Sequence, residues 1–578
     1  MIPAPRRRLG WLPALLTAAG ATLTALLLQN FLRANWQVRT LPERIMEWLL
    51  LFVPLDLFER GLARFGADAK SLALTGTALG LALTLVGLGA VTVRAGWTGW
   101  RLLALGLALW FFVMAVVMPL TGAGFFATGL LVAPLLTSAG YLTIFLAYAT
   151  VLLIGAALAQ ADTTDRHAIR ARLTAEPERR ALVAGLMATL VAYGLTRLAG
   201  RDGGLVSSSL PLARVPTRTP APATATPIPG RTALKAPTSP PVPTAMPESF
   251  PAPPPERRLA RDTEGSLTAA RRPKGTLAPT ITRNEDFYVV TKNAVADPVL
   301  DAAAWRLVVD GDVASPVQLD YAGLRALPAV DLTKTLECIS NLTAGCTQTS
   351  FGCDLLSTAR WTGVRVAEIL DLAGGLQPGV VGLAFYSSDE FSAGLTVESA
   401  TDPDTLVVYQ MNGQVLPREH GYPARLLVPG RYGMKGPKWL VGIRAMRQPY
   451  TGWYDQRGWT PEGIVKTMSR IDVPVDGASL PPGTQRIAGI AYAGIRGIDK
   501  VEFSADGGET WEAARILEPP PSGDAMVRWE GTFSLEPGAR TTLVVRATDG
   551  TGEVQPEPFV LPQPDGSSGW DSIDVRAA

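Results

Sequence analysis

Hydrophobic positions are not spread evenly along this chain. In the first 200 residues they run unbroken for about 20 residues at a time, the length a helix needs to cross a hydrocarbon core, at residues 11–32, 72–93, 102–120, 141–161 and 181–198. The pattern predicts an N-terminal anchor, residues 1–200, of about five transmembrane helices. The first run is long for a signal peptide and lacks a clear small-residue cleavage site, so it reads as retained. No Asp, Glu, Lys or His stands in the middle of these runs. Transporters and proton relays keep such groups at membrane depth, so a plain anchor is expected, with a quinone or partner-protein contact as the lesser reading. Arg6, Arg7 and Arg8, then Arg94 and Arg101, then Arg166, Arg170, Arg172, Arg179 and Arg180 mark cytoplasmic loops, which puts everything after residue 200 outside. The charged loop 33–70 holds a short apolar run at 48–57, expected to lie along the interface.

Residues 201–280 turn to Pro, Ala, Thr and Ser, the composition of a disordered, extended spacer. From 281 to 448 the pattern is mixed, with strands expected at 305–309, 406–411 and 425–428 and a helix-like run at 362–373, an α+β domain. Residues 449–578 form a connecting segment followed by short alternating strands at 486–492, 498–504, 529–535 and 541–548, a β-sandwich. Asp506-Gly507-Gly508 reads as a hairpin turn in preference to a calcium loop.

Charge and rare residues narrow the chemistry. The net charge of +2 gives no field for nucleic acid. The three cysteines, Cys338, Cys346 and Cys353, fall in one stretch without a C-x-x-C spacing, which points to a local site. The two histidines, His167 and His420, lie outside the apolar runs, so a haem held by paired axial histidines is not expected, nor is an iron–sulfur cluster.

Four blocks then carry a family resemblance: Asn284-Glu-Asp-Phe287-Tyr288 with Trp305-Arg-Leu-Val-Val-Asp-Gly311; Thr335-Leu-Glu-Cys338-Ile-Ser-Asn341 with Trp361-Thr-Gly363; Tyr409-Gln-Met-Asn412-Gly413 running into His420-Gly-Tyr-Pro-Ala-Arg425; and Pro429-Gly-Arg-Tyr-Gly-Met-Lys435-Gly-Pro-Lys438-Trp439. Over 281–448 the chain resembles the sulfite oxidase-type molybdopterin oxidoreductases. The resemblance implies a molybdopterin cofactor with Cys338 as the molybdenum ligand, a role suited to a soft thiolate. It implies that His420 and Arg425 meet the pterin and its phosphate, for which a guanidinium fork is apt, with Lys435 and Lys438 adding donors. Asn284, Phe287 and Tyr288 belong to the same implied cradle, Asp389 is a further pocket candidate that could equally cap a turn, and Tyr409 matches the active-site tyrosine. Val501-Glu-Phe-Ser-Ala-Asp-Gly-Gly-Glu-Thr-Trp511 resembles the immunoglobulin-like domain of the same family, which often mediates dimers.

Two departures matter. Where sulfite oxidases carry a sulfite-binding Arg, this chain reads Val289-Val290-Thr291-Lys292-Asn293, which argues against sulfite. The stretch between Asn341 and Asp354 is longer than in the family, and Cys346 and Cys353 within it are candidates for a disulfide in an oxidising compartment. The expectation is a multi-domain enzyme at the plasma membrane, multi-pass and with its catalytic part outside. It would perform oxygen-atom-transfer chemistry on a small oxo or sulfur compound, exchange electrons with an external carrier (a cytochrome or quinone-linked protein), and possess a homodimer-forming surface. The rival is a non-catalytic scaffold with a degenerate cofactor domain. A cytoplasmic catalytic half is the other alternative, with Arg7-Arg8-Leu9 a weak twin-arginine hint for export.

Overall fold

The computed structural model describes residues 10–53, 68–128, 130, 134–160, 176–201, 253, 267–268, 272–293, 296–346 and 352–578. The expectations for Arg6, Arg7, Arg8, Arg166, Arg170 and Arg172, for 54–57 and for most of the spacer fall outside these residues.

Among the described residues six helices make the N-terminal bundle: α1 (Trp11–Trp36), α2 (Leu41–Leu49), α3 (Asp68–Arg94), α4 (Trp100–Leu120, with a π turn at Val113–Val117), α5 (Pro134–Gln160) and α6 (Glu176–Arg201). The central α5 packs on α1, α4 and α6, and α1 also packs on α3. Alanines at 14, 18, 21 and 25 form the buried stripe of α1, while Leu12, Leu16, Leu23 and Leu27 face outward. That is the reverse of a soluble helix, where the bulky apolar face turns inward. Four helices (α1, α3, α4 and α5) are long and apolar enough to cross a membrane. The fifth expected run is helical, but its apolar part covers only Val183–Thr196. Charged residues from Glu176 to Arg180 and again at Arg197 and Arg201 cut it short.

The residues leading into the apolar run at 48–57 form a capped helix. Thr40 and Glu43 form a reciprocal capping box that starts α2, and α2 turns its charged residues, Glu43, Arg44 and Glu47, into buried positions against the rest of the protein.

The central region has two sheets. One orders its strands as Val317–Asp320, Arg306–Gly311, Leu440–Met446, Gly382–Ser387, Ser392–Thr396, with only the 306–311 and 440–446 pair parallel. The other runs Gln414–Val415, Leu406–Met411, Leu356–Arg365, Ala329–Glu337, and Arg425–Leu427 also pairs with Leu406–Met411. The helix expected over 362–373 begins only at Val366, because Trp361 to Arg365 remain in register with Leu406–Met411; strand pairing takes the first four residues of that run. A main core of Trp305, Phe385 and Leu426 fills one side of the second sheet, and Phe287, Leu336, Trp361 and Met411 form a separate core on its other face.

The C-terminal region stacks two further sheets, of four and five strands, around Trp529, Phe503 and Leu543. Its join to the central region combines an apolar cluster, Ile339, Leu356 and Met434 against Met468, Ile490 and Met526, with a polar contact: buried Lys334 pairs with Asp524, which also accepts from Tyr492 Oη (2.7 Å) and Gly430 N (3.0 Å). The end of the expected spacer is ordered. Leu267–Thr268 pairs with Val289–Val290, Arg272 bridges to Asp472 (2.8 Å), and Ala278 N donates to the same carboxylate (2.8 Å).

Candidate active site

The strand Ala329–Glu337 ends at a chamber of about 100 Å³ on the Phe287 face of its sheet. Cys338 is the first residue beyond that strand. Its backbone N–H donates to Leu355 O (2.9 Å) and its carbonyl accepts from Asn341 N (2.9 Å), which fixes a turn, and the residue lines the chamber. Burial pushes the thiol up to about 11, against hydrogen bonds from Ser340 that pull the other way. Such a sulfur stays protonated at neutral pH unless a cation sits beside it.

The opposite wall supplies positive charge. Arg425 is buried, and its guanidinium donates to His420 O (3.3 Å) and Gly436 O (3.2 Å). Burial pulls it down to about 10. Lys438 Nζ donates to Glu419 O (2.8 Å) and Val290 O (2.9 Å) and lies 4.4 Å from the Trp439 ring; burial lowers this group too. Neither cation forms an ion pair among the described residues. A buried guanidinium and a partly buried ammonium whose hydrogen bonds go only to carbonyls are costly, and an anion entering the chamber lowers that cost. The donor set therefore fits the phosphate-bearing pterin. Gly421, at φ 113°, is required where it stands: a Cβ there would lie 3.0 Å from the Cβ atoms of both Arg425 and Lys438.

His420 lines the same wall, edge-on to Phe287 at 5.2 Å, and Phe287 stacks on Tyr288 at 5.4 Å. Asp389 also lines the chamber; it caps its own turn through Phe391 N (3.1 Å) and accepts from Asn293 Nδ2 (3.1 Å), so both readings of this residue hold.

Three expected site residues are placed elsewhere. Tyr409 lies on Leu406–Met411, where alternate residues face opposite sides of the sheet. Leu406 and Val408 belong to the core around Phe287, whereas Val407 and Tyr409 belong to the main core, Tyr409 packing with Tyr321 (6.4 Å) on the far side from Cys338. Lys435 turns from the chamber and pairs with Asp455 at 3.0 Å. Asn284 does not line the chamber either. It ties the segment before Phe287 to a tight turn, donating to Met411 O (3.1 Å) and accepting from Asn412 Nδ2 (2.8 Å).

Two chamber residues were not singled out from sequence. Tyr454 lines it as a phenol raised above its ordinary range by burial and by nearby Cys338, and so remains a hydrogen-bond donor. Lys292 lines it as a buried ammonium 3.9 Å from Asp389 and 3.6 Å from Glu47, with no hydrogen bond of its own. Lys292 belongs to the segment noted for lacking an Arg, so that segment does deliver a cation. Tyr454 follows the expected domain end at 448 and has no local pattern to mark it.

Cys346 and Cys353 are joined, with Cα atoms 5.1 Å apart. Neither lines the chamber; Cys353 O accepts from Arg470 and Cys346 Sγ lies 4.0 Å from Asp571, both in the C-terminal region.

Comparison with known proteins decides the family. Residues 294–454 match the oxidoreductase molybdopterin binding domain and residues 463–562 the Mo-co oxidoreductase dimerisation domain. Sulfite oxidase of Gallus gallus is 31% identical over 48% of this chain and 68% of its own length. The chain belongs to the sulfite oxidase-type molybdopterin oxidoreductases. Sulfite oxidase of Arabidopsis thaliana is 29% identical over 45% of this chain and 79% of its own. Among solved structures, the sulfane dehydrogenase SoxCD from Paracoccus pantotrophus aligns with 57% of this chain and 92% of its own at 23% identity and a TM-score of 0.47. This family member is a molybdenum-dependent oxidoreductase, and the bundle and spacer precede the matched domains.

Proposed function

We propose that this protein is a membrane-anchored molybdopterin oxidoreductase that transfers an oxygen atom to or from a small oxo or sulfur compound, with Cys338 as the metal ligand and electrons exchanged with a carrier outside the chain. The observation that carries it is the pair of cations without ion-pair partners among the described residues, buried Arg425 and partly buried Lys438, across a chamber from a lone thiol. When bound, the cofactor supplies two-electron oxo chemistry at the metal. The protein's own share is positioning: Arg425 and Lys438 hold the anionic end of the pterin, with His420 and the Phe287–Tyr288 stack beside them. Lys292 meets an anionic oxygen on the substrate, and Tyr454 donates a hydrogen bond to it. A lysine replaces the fork of an arginine with a point charge, which favours a substrate with one exposed oxygen over the trigonal sulfite anion.

Membrane anchoring is supported by the small-inside, leucine-outside packing of α1, which suits helices surrounded by lipid, and by the four spanning-length helices. The two-sheet C-terminal region, read as immunoglobulin-like, carries the homodimer surface that the dimerisation-domain match supports. Purified full-length protein from a cofactor-competent host should contain molybdenum at near-unit stoichiometry. A Cys338→Ser variant should keep its pterin and lose turnover. A metal-free native protein, or a fully active Ser variant, would overturn the assignment.

A further inference from the structure

A second chamber, of about 420 Å³, lies where the helical bundle meets the catalytic sheets, and nothing in the reading above uses it. Its volume falls in the range of about 300–1,000 Å³ that holds drug-sized organic ligands. Both sides of the wall are mixed: the bundle contributes Trp36, Trp48 and Leu51 beside Arg39, Arg44 and Glu47, and the catalytic region contributes Ser387, Ser388 and Glu390 beside Leu300 and Trp453. The Oγ atoms of Ser387 and Ser388 are buried and make no hydrogen bond among the described residues. Unsatisfied buried hydroxyls are costly, so these two ask for a ligand with polar oxygens.

The two halves are held around the chamber by specific ties. Arg44 donates to both carboxylate oxygens of Glu390 (2.8 and 2.6 Å), Gln37 exchanges two hydrogen bonds with Val299 (2.6 and 2.9 Å), and Arg33 reaches Ala296 O (3.0 Å). The lining charges balance, with Arg39, Arg44 and Arg457 against Glu47, Glu390 and Asp301. Arg39 and Arg44 are committed to Glu47 and Glu390. Arg457 forms no ion pair among the described residues and donates to the carbonyls of Trp453 (2.7 Å) and Glu47 (3.3 Å), so a molecule with an apolar body and carbonyl or hydroxyl oxygens, which accept from such donors, fits the mixed lining.

The partition between the two chambers is thin. Ser387 lines both; Asp389 faces the active site and its neighbour Glu390 faces the interface chamber. Glu47 stands 3.6 Å from Lys292, which stands 3.9 Å from Asp389, so ionisable side chains run unbroken from one chamber to the other.

We propose that the interface chamber binds the headgroup of a membrane quinone, with its tail leaving between the helix ends, and that this quinone exchanges electrons with the active site directly. The proposal rests on the membrane-anchored oxidoreductase reading. The stoichiometry closes: a hydroquinone releases two electrons and two protons on becoming a quinone, and removing one oxygen atom from an oxo compound consumes two electrons and two protons and yields water. The reverse pair balances equally. The Glu47–Lys292–Asp389 run offers the protons a path across the partition.

The test is a titration of the cofactor-loaded, full-length protein in detergent with decylubiquinone, followed by quenching of tryptophan fluorescence, since Trp36, Trp48 and Trp453 line the chamber. Saturable quenching is expected. Thr137→Phe from the bundle side and Ala304→Phe from the catalytic side, both chamber residues, should weaken it at least about tenfold with molybdenum content unchanged. Ser388→Ala, which changes no packing volume of note, should weaken binding about threefold or more, the worth of one hydrogen bond, and keeps the test valid if a filling variant fails to fold. Absence of saturation, native affinity in the variants, or complete displacement of the quinone by phosphatidylglycerol would each overturn the proposal. Because quenching does not depend on turnover, a protein that binds the quinone but contains no molybdenum would sink the oxidoreductase reading separately.

Discussion

Arg44→Met should loosen the seam between the bundle and the catalytic sheets, and the size of the effect follows from the geometry. The Arg44 side chain is 1% exposed and holds Glu390 with two hydrogen bonds, while Glu390 is 24% exposed and has Arg39 3.5 Å away as its other cation. Removing one partner of a fully buried pair costs about 3–5 kcal/mol. The solvent access of Glu390 and the remaining Arg39 bring the cost here to about 2–3 kcal/mol. At about 1.4 kcal/mol per tenfold, local opening of the seam becomes about 30–150 times more frequent. Amide hydrogen exchange in peptides covering 41–49 and 387–393 reads this directly, because exchange there requires local opening. A double variant, Arg44→Met with Glu390→Gln, should recover most of the protection, since replacing both charges removes the stranded one. Exchange within about threefold of native in the single variant would refute the reasoning, as would a double variant no better protected than the single.

The same seam has a pH signature. Burial raises Glu390, but Arg44 and then Arg39 outweigh it and hold the carboxyl below its ordinary value. A depressed folded value means that the stability is fully present above the unfolded pKa, about 4.3, and is lost as pH falls through the folded one; the protection factor in 387–393, with the intrinsic pH dependence of exchange divided out, should therefore stay flat from neutral pH to about 5 and fall only in stronger acid. Tyr409→Phe should leave kcat within about threefold of native, because the phenol lies across the sheet from the chamber, while Tyr454→Phe should lower kcat at least about tenfold, within the range ascribed to a positioned donor; steady-state assays with one substrate compare the two. Arg425→Met should cut retained molybdopterin at least about tenfold while the cofactor-free protein melts no lower than native, because it removes a buried cation that has no ion-pair partner. Pterin release assays and thermal melts separate those outcomes.

The C-terminal strands show how far local pattern reaches. Alternation gave 498–504 as observed and 541–548 within a residue at each end of Arg540–Asp549, because those strands have one face in the Trp529 core and one in solvent. The run 362–373 failed at its start for the converse reason: Thr362 to Arg365 look helical in isolation, and only pairing with a strand more than 40 residues away holds them extended. Among the candidate site residues, Cys338, His420 and Arg425 were picked out by their blocks of neighbours and line one chamber. Tyr409 was picked out by its motif in the same way but packs on the other face of the sheet, since a strand's period of two lets one motif serve both faces.

By itself, the sequence determined the order of the parts, the apolar lengths of the four long helices, and the blocks that carry Cys338, His420, Arg425 and Lys438. These depend on composition, on length and on residues close together in the chain. Only the tertiary structure decided which residues share a chamber. It set Tyr454 and Lys292 beside Cys338, turned Tyr409 and Lys435 away, and drew Glu47 of α2 to within 3.6 Å of Lys292. Those contacts join segments up to hundreds of residues apart, and no local period or motif encodes which face of a helix or sheet a distant segment will cover.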